Sequence, residues 1–155
     1  MANPLKMLDL KPTGFQFIQE VAIEASPEKV WKSLANVNTW FQYEPDPANY
    51  HKHTLELVPG GKWTAAKPDG TASLHAVVTH IEPNKLLRLS GSMGLTHLPA
   101  TNVMIFELQP QKDGKATLLR LGHRAFGFMD DDVQGRYTKG WGEFLPKLKA
   151  LAEGR

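Results

Sequence analysis

One long amphipathic segment near the carboxyl end dominates the hydrophobic pattern of this chain. Between Val133 and Glu153 apolar residues recur every three or four positions, the spacing that aligns side chains along one face of an α-helix. These residues are Val133, Tyr137, Trp141, Phe144, Leu145, Leu148 and Leu151. We therefore predict a long helix whose aromatic side packs against the rest of the protein, with a kink beside Trp141 where two glycines and Pro146 weaken it.

A first strand is predicted at residues 15–23, where apolar and polar residues alternate as in a half-buried strand. Its apolar face carries Phe15, Phe17, Val21 and Ile23. Gln19 is a polar exception on that face. The residues before the strand, through Pro12, show no such pattern, and we expect them to be loose.

Two short helices are predicted next. Ser26 can cap the exposed N–H groups of the first helix, and Pro27 suits its first position. The buried side of this helix is predicted to carry Val30, Trp31, Leu34 and Val37. The inward residues of the second helix are Trp40 and Phe41. This second helix should end before Pro45 and Pro47, because proline cannot continue a helix.

Between the second short helix and the long helix, the pattern predicts six strands separated by proline and glycine turns. They span residues 51–58, 62–67, 71–82, 86–90, 102–108 and 116–124. The strand 71–82 is apolar on both faces, so its inward face stays undecided. In the stretch 91–100, Gly91, Gly94 and Pro99 prevent regular structure, so we predict a loop that either covers the core or closes an opening.

The order of these elements predicts an α+β protein. Short turns between successive strands imply antiparallel pairing, so one antiparallel sheet of about seven strands is expected. Its apolar face needs a cover, and the long helix is the element that can supply it. We predict a single domain over residues 1–155 with an ordered core of about 13–153, built as strand, two short helices, six strands and long helix.

Composition and charge limit the functional classes. Hydrophobic residues make up 41% of the chain and charged residues 22%, which is ordinary for a globular protein. A net charge of +2 gives no field that would attract nucleic acid. The chain contains no cysteine, which excludes disulfides, thiolate nucleophiles and cysteine-bound metals. No stretch resembles a secretory signal or a membrane span, so we expect a cytoplasmic protein that binds neither nucleic acid nor membrane.

Several motifs, taken in their order and spacing, resemble those of a known superfamily. They are Ile23–Trp31, the turn Pro59–Trp63, Ile81–Pro83 followed by Leu86, and Gly140-Trp141 with Phe144-Leu145. This arrangement resembles the START-like (SRPBCC) superfamily, and within it the branch similar to activators of the heat-shock-protein-90 ATPase and to polyketide cyclases and dehydrases. The resemblance runs from Phe15 to Glu153. It implies a helix-grip fold, in which a curved antiparallel sheet wraps around the carboxyl-terminal helix and leaves a cavity for an apolar ligand.

Inward residues of the sheet and of the long helix are the candidate lining of that cavity. They are His53, Trp63, Met104, Phe106, Leu121, His123, Tyr137 and Trp141. His123 is the most informative, because a polar group that points inward must be hydrogen-bonded or face a wet pocket. Three roles stay open for it: a satisfied core histidine, a group that orients a ligand, or an acid–base catalyst. Its expected neighbours are Tyr137 and Trp63.

No other motif predicts strong chemistry. His51 and His53 share a strand face as two metal ligands would, but polar residues at a sheet edge explain them better. The glycines of 90–94 lack the lysine and the following helix of a phosphate-binding loop. Asp130–Asp132 precede the long helix, where capping favours acidic residues over a cation site. We predict no catalytic residue, no metal site and no cofactor.

Three functional hypotheses follow. The leading one is binding of a small apolar ligand, such as a lipid, an aromatic compound or a polyketide-like molecule, between the long helix and the sheet. The second, implied by the resemblance, is a co-chaperone-like activator of a heat-shock-protein-90 ATPase. The third is a cyclase or dehydratase that uses His123. In addition, Val103 and Ile105 are apolar on the outer face of their strand and suggest a homodimer surface.

Overall fold

Seven strands and three helices make up the structure, a computed structural model that describes residues 5–42 and 51–155. The strands are β1 (Lys11–Ile23), β2 (Lys52–Leu55), β3 (Lys62–Ala66), β4 (Ala72–Glu82), β5 (Leu86–Gly91), β6 (Ala100–Gln111) and β7 (Ala116–Met129). The helices are α1 (Pro27–Ala35), α2 (Val37–Trp40) and α3 (Val133–Ala152), and a short 3-10 turn spans Lys112–Gly114. The predicted order of elements is confirmed.

All seven strands belong to one antiparallel sheet in the order β1-β7-β6-β5-β4-β3-β2. From β2 to β7 each strand lies beside the next one in sequence, as short turns between them predict. Strand β1 is the exception, because it pairs with the last strand of the chain, β7, and forms the edge of the sheet opposite β2. The three helices and the inner face of the sheet share one hydrophobic core.

The β1 edge of the sheet is longer than predicted. β1 begins at Lys11, so residues expected to be loose are paired with the end of β7, which continues to Met129 beyond its predicted end at Arg124. The added part of β7 turns two phenylalanines, Phe126 and Phe128, toward the outer face. Residues 125–129 of β7 are apolar on both faces, so alternation does not mark them as a strand. Their backbone hydrogen bonds are nevertheless made with β1, which is distant in sequence.

β2 covers only Lys52–Leu55 of the predicted 51–58. After it the chain folds into a tight turn in which the N–H of Gly61 donates to the carbonyl of Val58 at 2.8 Å. A Cβ atom on Gly61 would lie 2.1 Å from the carbonyl oxygen of Glu56, so the turn requires glycine at this position.

β4 contains two bulges, which settle its undecided inward face. Its ladder with β3 shifts beside Trp63 and leaves His75 as an extra residue, and its ladder with β5 shifts after Val78. The first bulge puts His75 and Ala76 consecutively on the inner side of the sheet, since Ala76 is buried opposite Trp63 and His75 faces α3. A bulged strand breaks strict alternation, which is why its pattern looked apolar on both faces.

Helix α1 begins as predicted. The hydroxyl of Ser26 accepts a hydrogen bond from the backbone N–H of Lys29 at 3.4 Å, and Pro27 is the first helical residue. Its buried side carries Val30, Trp31 and Leu34.

Val37 begins α2, and its assignment to α1 was wrong. The reason is that α1 ends at Ala35, because the backbone of the next residue, Asn36, leaves the helical region (φ −88°, ψ 52°). Trp40, at the end of α2, is buried as predicted. The helix stop expected at Pro45 and Pro47 lies outside the described residues.

Helix α3 is unbroken from Val133 to Ala152, so its predicted span is confirmed within one residue. Its buried residues are Val133, Gly140, Trp141, Phe144, Leu145, Leu148 and Ala152. The chain stays helical through Pro146, and the kink expected beside Trp141 stays a prediction.

Asp132 immediately precedes α3 but does not make the predicted capping hydrogen bond. Its backbone is already helical (φ −88°, ψ −2°), whereas a capping residue usually adopts an extended conformation that aims its side chain at the free N–H groups. Its carboxylate instead forms an ion pair with Arg136, one turn along the helix, at 3.2 Å.

Polar contacts attach α3 to β1. Gln19, the polar exception on the apolar face of β1, donates from Nε2 to the carbonyl of Thr138 at 2.9 Å. Near the end of the helix, the carboxylate of Glu153 accepts from the N–H of Glu24 at 2.6 Å and from Lys149 at 2.8 Å. Hydrogen bonds from Lys149 and from the Glu24 N–H lower the pKa of Glu153 to about 2. The helix is therefore held along its length on the sheet.

The loop between β5 and β6 spans residues 92–99, because Gly91 belongs to β5 and Ala100 to β6 rather than to the predicted loop 91–100. Leu95 and Leu98 are buried in a small second cluster together with the end of β7 and the start of α3. Met93 joins the main core. The loop thus covers one end of the space between α3 and the sheet.

Candidate functional site

A half-open pocket of about 220 Å³ lies between α3 and the inner face of the sheet. It is lined by Phe41, His75, Met93, Arg136, Tyr137, Gly140, Trp141 and Phe144. The aromatic rings touch one another: Phe41 lies 4.3 Å from Phe144 and 5.6 Å from Trp141, centroid to centroid. Apolar walls with a few polar groups are typical of sites that bind small molecules.

His75 reaches the pocket because of the bulge in β4. The backbone of β5 comes very close at this point, since a Cβ on Gly91 would lie 2.4 Å from the carbonyl oxygen of His75. The same carbonyl accepts from the N–H of Met93 at 2.9 Å, which joins the bulge to the loop after β5. The local backbone therefore fixes where the imidazole stands.

The imidazole of His75 is incompletely hydrogen-bonded. Its Nδ1 is enclosed and has no hydrogen-bond partner in the part of the chain that the structure describes. Burial, and then the nearby His51, lowers the pKa of His75, so the ring is neutral at pH 7. An enclosed polar atom without a partner is costly and is uncommon in native proteins.

Tyr137 connects α3 to the loop above the pocket. Its hydroxyl donates to the carbonyl of Met93 at 2.8 Å. Burial raises the pKa of Tyr137 above its ordinary value, so the phenol is neutral and its proton is used in this bond.

His123 lies below the pocket, fully buried with 0% of its surface exposed, and both of its ring nitrogens are engaged. The indole N–H of Trp141 donates to Nδ1 at 2.9 Å, and since indole can only donate, the proton of the neutral imidazole is on Nε2. Nε2 lies 2.8 Å from Oδ1 of Asn102 and donates to it. The amide of Asn102 in turn donates to the carbonyls of Gly91 and Ser92.

The electrostatics of His123 agree with this arrangement. Burial lowers the pKa of His123 to about 4. An added proton would sit on Nδ1 and face the indole N–H of Trp141, where no acceptor remains. The residue is therefore a neutral, satisfied core histidine in this structure, and a substrate would reach it only if Trp141 or Asn102 moved away.

The same pairing of tryptophan with histidine occurs a second time on β2 and β3. The indole N–H of Trp63 donates to Nδ1 of His53 at 3.2 Å, and both side chains are buried. Burial first, and then the neighbouring His75 and His51, lowers the pKa of His53 to about 4. His53 is therefore also neutral at pH 7.

The structure distributes the eight candidate lining residues over two layers. Tyr137 and Trp141 border the pocket itself. The other six are buried in the core around it: His53, Trp63, Met104, Phe106, Leu121 and His123. Of the expected neighbours of His123, Tyr137 lies 4.5 Å away, centroid to centroid, whereas Trp63 packs against Phe41 and Trp40 instead.

A family profile matches most of the chain. The family described as "Activator of Hsp90 ATPase homolog 1-like protein" matches residues 24–153. The chain belongs to this family. No protein in the curated set matches it significantly.

Solved structures confirm the fold of this family member. A protein from Rhizobium leguminosarum, 16% identical, has a TM-score of 0.74 over 96% of this chain and 100% of its own. The Aha1 dimer from Colwellia psychrerythraea, 21% identical, has a TM-score of 0.64 over 90% of this chain and 96% of its own. DynU16, from the dynemicin biosynthetic locus, is 18% identical with a TM-score of 0.64 over 90% of this chain and 48% of its own. The helix-grip α+β fold is thus confirmed.

Several residues that line the pocket of this family member could not be identified as lining residues from the sequence. They are Phe41, His75, Met93, Arg136, Gly140 and Phe144. His75 was hidden by the bulge, and Met93 by the lack of periodicity in its loop. Arg136 lies on the charged side of α3, and only its position at the pocket mouth distinguishes it from other exposed cations.

The described residues form neither a metal site nor a membrane-spanning helix. Among them, no group of three or more His, Asp or Glu side chains is arranged to hold a metal ion. Within the same residues, no helix is both long enough and apolar enough to cross a membrane.

Proposed function

We propose that this member of the family binds a small apolar molecule in the pocket under α3. The observation that carries the proposal is the open space bordered by Phe41, Trp141 and Phe144, whose rings contact one another around it. Apolar surface removed from water contributes roughly 25 cal/mol per Å², so a ligand that covers these rings gains free energy without any special contact.

The size of the pocket selects among the ligand classes. Its volume of about 220 Å³ is below the roughly 300–1,000 Å³ that is usual for drug-sized ligands. A compound with one or two aromatic rings fits this space. A long lipid chain or a polyketide with many rings would have to extend through the mouth. We therefore favour the aromatic compound over the other two ligand types.

Ligand binding can be tested in two steps. Native mass spectrometry of the protein purified from cells should show a retained small molecule, and titration with naphthalene derivatives should quench tryptophan fluorescence. Phe41→Ala should weaken binding because it removes a wall of the pocket, whereas Phe126→Ala, on the outer face of β7, should not. A protein that retains nothing and binds neither aromatic compounds nor fatty acids would refute the proposal.

A second candidate function is a co-chaperone-like activator of a heat-shock-protein-90 ATPase. Its support is the family match over residues 24–153 and the fold shared with the Aha1 dimer. Adding this protein to the chaperone should then raise ATP turnover and give a complex on gel filtration. Unchanged turnover without a complex would exclude it.

A third candidate is a cyclase or dehydratase that uses a cavity histidine. Its support is the fold shared with DynU16, and the geometry favours His75 over His123 because only His75 borders the pocket. Turnover of an aromatic polyketide substrate should then be lost in His75→Gln. Full turnover in that variant would remove His75 from the mechanism.

We also propose that the chain forms a homodimer through the outer face of β1, β7 and β6. Large apolar side chains are exposed there: Ile18 by 61%, Phe126 by 66% and Phe128 by 45%. The predicted outer residues Val103 and Ile105 lie half-buried on the same face. Several large apolar side chains exposed on one face of a sheet are typical of an interaction site.

Charge on this outer face fits a second copy of the chain. Three adjacent rows across β1, β7 and β6 are Ile18–Gly122–Ile105 in the centre, Glu20–Arg120–Glu107 on one side and Gln16–Arg124–Val103 on the other. The second row carries two carboxylates and one guanidinium, a net charge of −1, and the third carries one guanidinium, +1. A two-fold axis along the apolar row would lay each charged row on the oppositely charged row of the partner.

The dimer is tested by the molar mass in solution. Analytical ultracentrifugation should show a dimer, and Arg124→Glu should raise its dissociation constant by about tenfold or more, because both facing rows then carry a net negative charge. Lys52→Glu, on the opposite edge of the sheet, should not change it. A wild-type monomer at high concentration, or a dimer that Arg124→Glu leaves intact, would contradict the proposal.

A further inference from the structure

The polar side chains that border the pocket donate hydrogen bonds. Arg136 carries a guanidinium with five N–H donors, and Tyr137 already uses its proton on the carbonyl of Met93. None of the described residues that line the pocket carries a carboxylate. An apolar space that offers donors matches a ligand with hydrogen-bond acceptors.

His75 adds a second donor. Neither ring nitrogen has a hydrogen bond in the described structure, but only Nδ1 is enclosed, so Nε2 is the nitrogen that keeps accessible surface in the pocket. An unpartnered N–H is less readily buried than an unpartnered lone pair, which places the proton of the neutral ring on Nε2. His75 therefore presents an N–H to the pocket.

Asp132 is the group that competes with a ligand for Arg136. It contacts Nε of Arg136 at 3.2 Å, and this ion pair is exposed, with 58% of the Arg136 side chain accessible. Asp132 engages only Nε, and the two terminal nitrogens of Arg136 form no ion pair or hydrogen bond with the described residues. Because a guanidinium can serve two carboxylates, Asp132 holds the side chain at the mouth without blocking it.

We propose that the pocket takes an aromatic carboxylate, with its ring against Phe41, Trp141 and Phe144 and its carboxylate on Arg136 and His75. This inference rests on the proposed ligand-binding function and adds the chemical class of the ligand. A carboxylate accepts from both donors at once, whereas an uncharged amide or ester gains much less from the guanidinium.

Isosteric probes test the carboxylate directly. Titration calorimetry at pH 7 with 2-naphthoate and 2-naphthamide should show about tenfold or more tighter binding of the acid. Chemical shifts of the Trp141 indole and of the His75 ring should report binding in this pocket. Arg136→Gln should remove most of the preference for the acid, whereas Lys139→Gln, an exposed cation on the same helix, should preserve it.

A second variant should strengthen binding of the acid instead of weakening it. Asp132→Asn removes the competing charge and should tighten binding of 2-naphthoate while leaving 2-naphthamide unchanged. Equal binding of acid and amide would overturn the carboxylate inference and leave the proposed ligand-binding function standing. Binding of neither probe would overturn both.

Discussion

His123 is neutral and fully buried, and its hydrogen bonds connect three separate parts of the molecule. Its ring stands on β7, receives the indole N–H of Trp141 from α3, and donates to Asn102 on β6. Asn102 extends the connection to the loop after β5. Removing any one member would leave a buried polar atom without its partner, which costs roughly 1–3 kcal/mol.

The buried histidines predict how stability depends on pH. The pKa of His123 is about 4 in the folded protein against 6.5 when unfolded, so the unfolded chain takes up the proton first as pH falls. The stabilisation from its neutral form is present above pH 6.5 and is lost as pH falls to 4, by about 3 kcal/mol in all. Urea unfolding between pH 4 and 7 should show a smaller loss of stability on acidification in His123→Gln than in the wild type.

The control for this prediction is His97→Gln, an exposed histidine in the loop after β5, which should keep the wild-type slope. His53, whose pKa is also about 4, should leave a residual slope in the variant. If His123→Gln folds poorly, the NMR titration of the His123 ring in the wild type gives the same answer. A ring that titrates near pH 6.5 would contradict the prediction.

Trp141 should be the strongest single anchor of α3. Trp141→Ala removes a side chain that is only 2% exposed and should cost about 3–5 kcal/mol in the free energy of unfolding. Trp141→Phe keeps most of the ring but leaves Nδ1 of His123 without its donor, for a cost of about 1–3 kcal/mol. Lys139→Ala, exposed on the same helix, should change stability by less than about 0.5 kcal/mol in urea unfolding. A loss below about 1 kcal/mol in Trp141→Ala would mean that Trp141 is only a pocket wall.

At the scale of elements, α3 holds together although its middle is a poor helix former. Gly140, Gly142 and Pro146 lie in one stretch, at a cost of roughly 1 kcal/mol for each glycine and 3 kcal/mol for the proline. The helix is unbroken because Trp141, Phe144 and Leu145, which lie in the same stretch, are buried in the core and stabilise it. Gly140 is itself buried and lines the pocket, so it keeps the space beside Trp141 open.

Glycine-to-alanine substitutions should have opposite effects in two elements. Gly142→Ala should stabilise the protein by about 0.5–1 kcal/mol, because a Cβ there meets nothing within 4 Å and alanine favours the helix. Gly61→Ala should destabilise it by more than that, because its Cβ would lie 2.1 Å from the carbonyl oxygen of Glu56. Thermal unfolding of both variants measures the two shifts in midpoint. A lower midpoint for Gly142→Ala would show that this part of α3 is distorted from regular helix.

At the scale of the whole molecule, the sheet is unevenly paired. β1 and β7 are paired along the whole of Lys11–Ile23, and β6 and β7 along Ala100–Gln111, whereas β2 pairs with β3 over only four residues. Phe41 and His75 enter the pocket from the weakly paired side. The pocket therefore lies where the fold can open at least cost, which would let it admit a ligand.

Amide hydrogen exchange should report this asymmetry. We expect the strongest protection in β6 and β7, close to the free energy of global unfolding, and the weakest strand protection in β2. A ligand that binds in the pocket should raise protection near His75, because an opening that exposes this part of the pocket must first release the ligand. Uniform protection across the sheet would show that the molecule opens only as one unit.

Much of the fold could be predicted from local pattern, and much less of the site. The inward residues of β5, β6 and β7 are correctly predicted, because successive side chains of a regular strand point to opposite faces of the sheet. That direction depends only on two or three adjacent positions. His75 could not be placed, because the bulge that turns it inward depends on the backbone of β5 at Gly91. Arg136 could not be singled out, because its position at the pocket mouth depends on where α3 lies on the sheet.

The sequence by itself determined the order of elements, the cap of α1, the apolar stripe of α3 and the inward direction of His53 and His123. These follow from periodicity and from turn and capping residues, which act within a few positions of the chain. Only the tertiary structure decided that both histidines are enclosed by tryptophan N–H groups, and that His75 faces the open pocket. The physical reason is that hydrogen-bond partners and empty space are set by residues far apart in sequence, as between Trp141 and Asn102 around His123.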